Sequence, residues 1–457
     1  MADYLITKYE AKADGTSDNR KAIQNAIDDC HQKGGGRVIV PGPGVFVSGG
    51  LFLKSGVELH LEHGAVLQAS PDVSVHHLLP QLEVNFNAGS AARPQETEAR
   101  CFIQAIEAND IAFSGRGTID GNARAYREKD LGPIYRMKAN RPRLIMMENC
   151  RRITARDITI FDASNWSFHP IGCEDVLIDG IRLLHDLKTP NCDGIDPDHC
   201  RNVRIANCHI EAGDDGIVIK NHSHFTQYGD CENITITNCT IVSTSTAIKI
   251  GTESHGNFRN IVVSNCIIDR SSRGIGLQLR DWGHIENVLF SNLVIRTRLF
   301  DPLWWGRAEP IAITAQPRRP GDRVGHIRGI HFSQIRAEGE AGVMAVCSPE
   351  SSIEELSFDR VSVTLVKTTK YPAGWKDLRP FQGEEHGGCD PHPVHGFLLE
   401  NLHDVAIRNC SVVWGENFYD PTAGRPEVWA TSMHYENMNP PRVENLTEKT
   451  LSPESVR

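Results

Sequence analysis

No long apolar run interrupts the 457 residues, and the opening Met1-Ala-Asp-Tyr-Leu-Ile-Thr-Lys8 lacks the basic and apolar regions of a secretory signal. The sequence therefore reads as cytoplasmic, with no membrane partner. Basic charge is also short: 48 Lys and Arg stand against 58 Asp and Glu, for a formal charge of -10. A nucleic-acid partner would call for a concentrated basic surface, so none is expected. The 13 cysteines are odd in number, and several occupy interior positions of a repeat. They read as reduced core thiols rather than a disulfide framework, and no paired Cys/His spacing of the zinc type occurs. No metal and no cofactor are expected. Low-complexity tracts and linkers are missing too, which leaves one large core with caps.

What is present is a repeat. A hydrophobic alternation ending in Asn-Cys recurs at Asn202 to Cys208, Asn233 to Cys239 and Asn260 to Cys266, preceded by Asp175 to Gly180 and followed by Asn287 to Asn292. The copies begin at 175, 202, 233, 260 and 287, in steps of 27, 31, 27 and 27, and weaker copies start near Ile330, Leu356 and Val405. A period in this range marks a solenoid. Alternation rich in Val, Ile and Thr excludes a helical one, so the fold class is all-β, a right-handed parallel β-helix. Equivalent positions then form ladders along the axis: Asn207, Asn238, Asn265 and Asn292 a polar one, Cys208, Cys239 and Cys266 an apolar one. Asp18 to Gln32 reads as an amphipathic helix (Ala22, Ile23, Ala26, Ile27, Cys30) that caps the open first coil. The expected division is residues 1–50 for the N-terminal cap and first strands, 51–414 for the β-helix, and 415–457 for an irregular, Pro- and Asn-rich tail.

Within the repeat, Asn191-Cys192-Asp193-Gly194-Ile195-Asp196 and Gly213-Asp214-Asp215-Gly216 place carboxylates about twenty residues apart. Asp-Gly pairs are ordinary turn sequences. Structural aspartates would be scattered over all coils, however, and Asp193, Asp214 and Asp215 cluster on consecutive ones. Asp196 is read as a turn residue.

These segments, with Gly115 to Gly121 and Asn165-Trp166-Ser-Phe-His169-Pro170, resemble glycoside hydrolase family 28, the polygalacturonase family, from about Asp14 to about Ile295. The resemblance implies an inverting hydrolase in which Asp214 is the general acid, Asp193 and Asp215 activate water, and Asn191 orients the site. The substrate partner would be a pectin-derived or other acidic or deoxy-sugar oligosaccharide, attacked from a chain end, with the protein a monomer or homodimer. The family's Gly-His-Gly is missing, and Ser245 falls where its His would. Its Arg-Ile-Lys becomes Gln278-Leu279-Arg280. Arg280 is expected to grip a substrate carboxylate, with Gln278 beside it; Glu253, His255, His222 and His224 are candidates to stand in for the His, though each reads first as an exposed loop residue. Lys220 reads equally as a strand end or a substrate contact. Two insertions, around Trp304-Trp305 and from Tyr371 to Pro380, bring Trp305 and Arg379 forward as binding residues, with burial of Trp305 for packing the alternative. His386, His392 and His395 read as a polar loop. Two other functions share these features: a uronate lyase, and a noncatalytic carbohydrate-binding solenoid.

Overall fold

In a computed structural model the structure describes residues 2–79, 98–380, 388–415 and 431–450. It divides into two compact units, residues 1–217 with 224–229, and residues 218–223 with 230–457. The boundary falls inside the expected central domain of 51–414.

In the first unit the coils stack as parallel strands. One sheet runs through Gly36–Val40, Val57–Leu61, Asn109–Gly115, Arg151–Arg156, Glu174–Asp179 and Arg201–Ala206. Another wall runs through Leu51–Phe52, Arg100–Ile106, Pro142–Glu148 and Phe168–Ile171. Single bridges carry this wall on to Ile195 and Ile217. The cap is a helix, α1, over Arg20–Gln32, and it buries the five residues its periodicity predicts. It ends at Gly34, Gly35 and Gly36, where a side chain on Gly35 would stand 2.6 Å from the Gly56 carbonyl oxygen.

The second unit repeats the pattern through Cys231–Thr237, Phe258–Ser264, Ile285–Thr297, His326–Gly339, Ser352–Leu365 and His403–Trp414. The right-handed parallel β-helix is the fold. The segment 415–457 was expected to be irregular, but Met433–Glu436 pairs with Phe397–Glu400 and Arg442–Thr450 with His403–Trp414. The last strand is exposed at nearly every position, so it carries no apolar alternation to announce it.

Asparagine sets the corners. Asn207, Asn238, Asn265 and Asn292 have φ of 59°, 55°, 56° and 54°, the left-handed region its short side chain tolerates. Asn292 donates its amide to Asn265 at 2.7 Å. A second ladder joins Asn233, Asn260 and Asn287 at 3.0 and 2.8 Å. The cysteine ladder is buried, and Cys208, Cys239 and Cys266 each donate to the carbonyl two residues earlier, at 3.1, 3.2 and 3.2 Å. All 13 cysteines are free and buried. Further along, Phe290, Phe332 and Phe358 stack with ring centroids 4.8 and 5.2 Å apart.

Candidate active site

Register places the carboxylates. Phe168, Ile195 and Ile217 are bridged in sequence as parallel partners, so Asp193 and Asp215, each two residues earlier, hold equivalent positions on consecutive coils. Gly194 N–H donates to the Asp215 carbonyl and Ile195 N–H to that of Gly216, both at 3.0 Å. Such closeness needs glycine: a Cβ on Gly194 would lie 2.3 Å from the Gly216 carbonyl oxygen, and one on Gly213 would lie 2.3 Å from that of Thr189. The glycines flanking the aspartates thus bring two coils into contact at this point. Asp193, Asp214 and Asp215 retain only 3%, 5% and 2% of their surface.

Asn191 adopts φ 55°, and its backbone N–H donates to Asp214 Oδ2 at 3.1 Å. Its side-chain oxygen accepts from Arg141 at 2.9 Å, while Arg141 also donates to the Pro190 carbonyl. Ser167 donates its N–H and its hydroxyl to the Asp193 carbonyl. Arg141 and Ser167 were not anticipated. Arg141 closes a stretch, 124–141, whose arginines and lysines break the apolar alternation, and that break was the available signal. The stretch folds as a hairpin of Arg127–Asp130 against Tyr135–Met137. Tyr135 N–H donates to the Lys188 carbonyl at 2.8 Å, three residues before Asn191. Asp196, read as a turn residue, is fully buried, and its N–H donates to the Phe168 carbonyl.

The remaining candidates belong to the second unit. Lys220 and Glu253 form an ion pair at 3.4 Å. Burial pushes the Glu253 carboxyl up, but Lys220, His222, Arg318 and Lys249 outweigh it and hold it well below the usual carboxylate range. Ser245 is buried in the coil wall, with its N–H on the Ser243 hydroxyl. His255 lines an open cavity of about 290 Å³ with Arg280, Asp281, Trp282, Asp322 and Arg323.

Two arginines differ from expectation. Arg280 is 1% exposed, and its guanidinium donates to the carbonyls of Leu279, Thr314, Leu378, Arg379 and Pro380. It ties the 378–380 loop to the coil instead of offering a fork to a ligand, and burial, then Arg318 and Arg273, push its pKa down to about 9. Arg379 donates twice to Asp377, at 2.7 and 2.8 Å, and once to the Trp304 carbonyl. Gln278 is buried with its amide on the Arg379 carbonyl. Trp304 is buried, whereas Trp305 is half-buried under the Arg379 guanidinium, 5.1 Å from its ring centroid. His392 and His395 pack together at 5.4 Å between centroids, and His386 lies outside the described residues. Among the described residues, no group of three or more His, Cys, Asp or Glu has the geometry to hold a metal ion.

Comparison with known proteins bears on the same coils. The model of glycosyl hydrolases family 28 matches residues 71–371, which include all three aspartates. A probable polygalacturonase of Vitis vinifera is 30% identical over 264 residues, 56% of this chain and 52% of that one. An endo-polygalacturonase of Pectobacterium carotovorum subsp. carotovorum is 30% identical over 226 residues, 46% of this chain and 52% of that one. The chain thus spans about half the length of the curated relatives it matches. The crystal structure of a hyperthermoactive exopolygalacturonase from Thermotoga maritima superposes with a TM-score of 0.68 at 20% identity, covering 90% of this chain and 91% of that one. The matched span is about two thirds of the sequence and holds both carboxylate motifs, and by it the chain belongs to glycosyl hydrolases family 28.

Proposed function

We propose that the chain is an inverting glycoside hydrolase acting from the end of pectin-derived or other acidic oligosaccharides. The observation that carries this reading is the register: Asp193 and Asp215 stand at equivalent positions on adjacent coils, with Asp214 beside them. Inversion needs an acid on the leaving oxygen and a base on a water at the opposite face, with the two carboxyls about 6.5–9.5 Å apart. Coils stacked about 4.8 Å apart supply distances of that order one residue out of register. Asp214 is the acid. Its Oδ2 accepts the Asn191 N–H, which orients the carboxyl group. Asp193 and Asp215 hold and deprotonate the water.

Family membership supports the reaction class, and the names of the relatives support a galacturonate-containing substrate. Those names include both endo- and exo-acting enzymes. Attack from a chain end is favoured by the hairpin of residues 127–137, which docks on the 186–191 loop next to Asn191. The test is incubation of wild type and Asp214→Asn with pectic oligosaccharides labelled at the reducing end, with and without chelator, and analysis of products by mass spectrometry. Saturated products gained by water, released one unit at a time and absent with the variant, are expected. An unsaturated product would replace this reading with a lyase.

A further inference from the structure

We propose that Arg143 and Trp166 form a uronate-binding subsite on the N-terminal side of the aspartates, with Arg143 taking the sugar carboxylate. The proposal rests on the reading of Asp193 to Asp215 as the reacting centre and specifies what that centre receives.

The first observation is register. Ile145 pairs with Phe168, and Phe168 with Ile195 and then Ile217. Two residues before each stand Arg143, Trp166, Asp193 and Asp215, so the four share one column on consecutive coils. At about 4.8 Å per coil, Trp166 is about 5 Å and Arg143 about 10 Å from Asp193 along the axis, a span of one or two sugar rings. Exposure is the second. Between Arg141 and Met147 only Arg143 is not buried, and between Asp162 and Ile171 only Trp166 is not. Each of these coils brings one side chain of that wall to the surface, and both lie in the aspartates' column.

The third is how Arg143 is held. Its guanidinium carbon lies 4.0 Å from the centroid of the Trp166 ring. Its Nη1 lies 2.8 Å from His169 Nδ1, and His169 Nε2 lies 3.3 Å from Asp198 Oδ2. An arginine can only donate, so His169 Nδ1 accepts, and the imidazole proton is on Nε2, facing Asp198. His169 and Asp198 are wholly buried. The fork is therefore braced by a ring on its face and a buried relay behind it, while the residue stays half-buried. A neutral sugar would need only the aromatic surface. A planar cation with fixed direction matches a carboxylate, which it can bind through two parallel bonds. Trp166 and His169 are positioning residues, since they act through Arg143.

The experiment measures binding by calorimetry in the Asp214→Asn background, using trigalacturonate and its fully methyl-esterified form, with hydrolysis of both followed in the wild-type background. We expect the acid to bind at least 10-fold tighter than the ester, and Arg143→Gln to weaken the acid about 10- to 100-fold while changing the ester less than about 2-fold. Arg143→Lys recovers part of the loss, because it restores charge without the fork. Trp166→Ala lowers the acid-to-ester ratio about 3- to 10-fold, and this variant keeps the test open if Arg143→Gln does not fold. Added salt weakens acid binding in the parent and much less in Arg143→Gln. Equal binding of acid and ester by the parent overturns the proposal. So does an equal loss for both ligands in Arg143→Gln, or in Trp166→Ala if that is the variant that folds. Charge-selective, Arg143-dependent binding without any turnover by wild type sinks the hydrolase reading and leaves the subsite standing.

Discussion

Each unit buries a cluster of carboxylates, and the two clusters are built differently. In the first, three aspartates crowd two consecutive coils whose glycines press the backbones together, and Asp214 accepts the Asn191 backbone N–H. In the second, buried charges are cross-linked: Arg273 binds Glu309 at 3.1 and 3.2 Å, Asp377 lies 3.5 Å from Arg273 and accepts from Arg379 and Gly306, and Glu309 accepts from Arg307 N–H. Burying a carboxylate is costly unless cations and donors compensate it. Where compensation is complete the charges are mortar between insertions and coil. Where like charges are gathered on two consecutive coils, the arrangement is the one the proposed hydrolysis needs.

This contrast can be broken by substitution. The largest effect is expected for Asp214→Asn, which keeps an acceptor for the Asn191 N–H and cannot donate an acid proton. Hydrolysis should fall about 10²- to 10⁴-fold with the melting temperature nearly unchanged, as read by product release and calorimetry on one preparation. A large loss of stability would make Asp214 part of the mortar. Asp377→Ala should do the reverse. It leaves Arg379 and part of Arg273 uncompensated in the interior, and about 3–5 kcal/mol of unfolding free energy should go, measured in urea. A shift below about 1 kcal/mol would count against the cross-linking role.

A third effect concerns pH in the second unit. His395 is buried beside His434 and His392, with Glu400 and Glu436 near those two rings and Lys376 on Glu400. Burial first, then the other two imidazoles, push its pKa down to about 4. The unfolded chain binds this proton near pH 6.5 and the folded one does not, so stability is full above about 6.5 and declines as pH falls toward 4. The contribution is at most about 3 kcal/mol, and His395→Gln should flatten that part of the pH profile. The smallest effect belongs to the corners. Asn260→Ala at φ 57° should cost about 1 kcal/mol, while Asn260→Gly should cost little, since glycine enters that region without strain. Equal losses would assign the cost to the amide ladder instead.

Much of the fold was legible because its causes are local. The Asn-Cys spacing marks corners that need a left-handed residue followed by a small apolar one, and the five apolar positions of α1 repeat at helical spacing. Asp193 and Asp215 were legible as a pair because a solenoid turns sequence offset into axial distance. Arg280 and Arg379 were misread for a physical reason. Whether a guanidinium faces a ligand or a loop's carbonyls depends on where residues 304–310 and 377–380 fold back, and nothing within a few residues of Arg280 encodes that. Arg143 carries no signal in the sequence, since its distinction is being the one partly buried member of an otherwise buried row. The last strand, Arg442–Thr450, has only Val443 and Leu446 as apolar residues, neither of them buried, and is recognised by its backbone pairing.

The asparagine corners make the protein a ruler with fixed graduations. Asn233, Asn260 and Asn287 are joined amide to amide at intervals of 27 residues, and each graduation meets the next through the same bond. The interval itself need not be 27: Val288 pairs with Ile330 and Leu356 with Val405, 42 and 49 residues on, so extra residues leave a coil as loops while the strands stay in phase. Coil length is therefore free to vary while the spacing between neighbouring strands stays constant, and a site built across two coils keeps its dimensions whatever loops those coils carry.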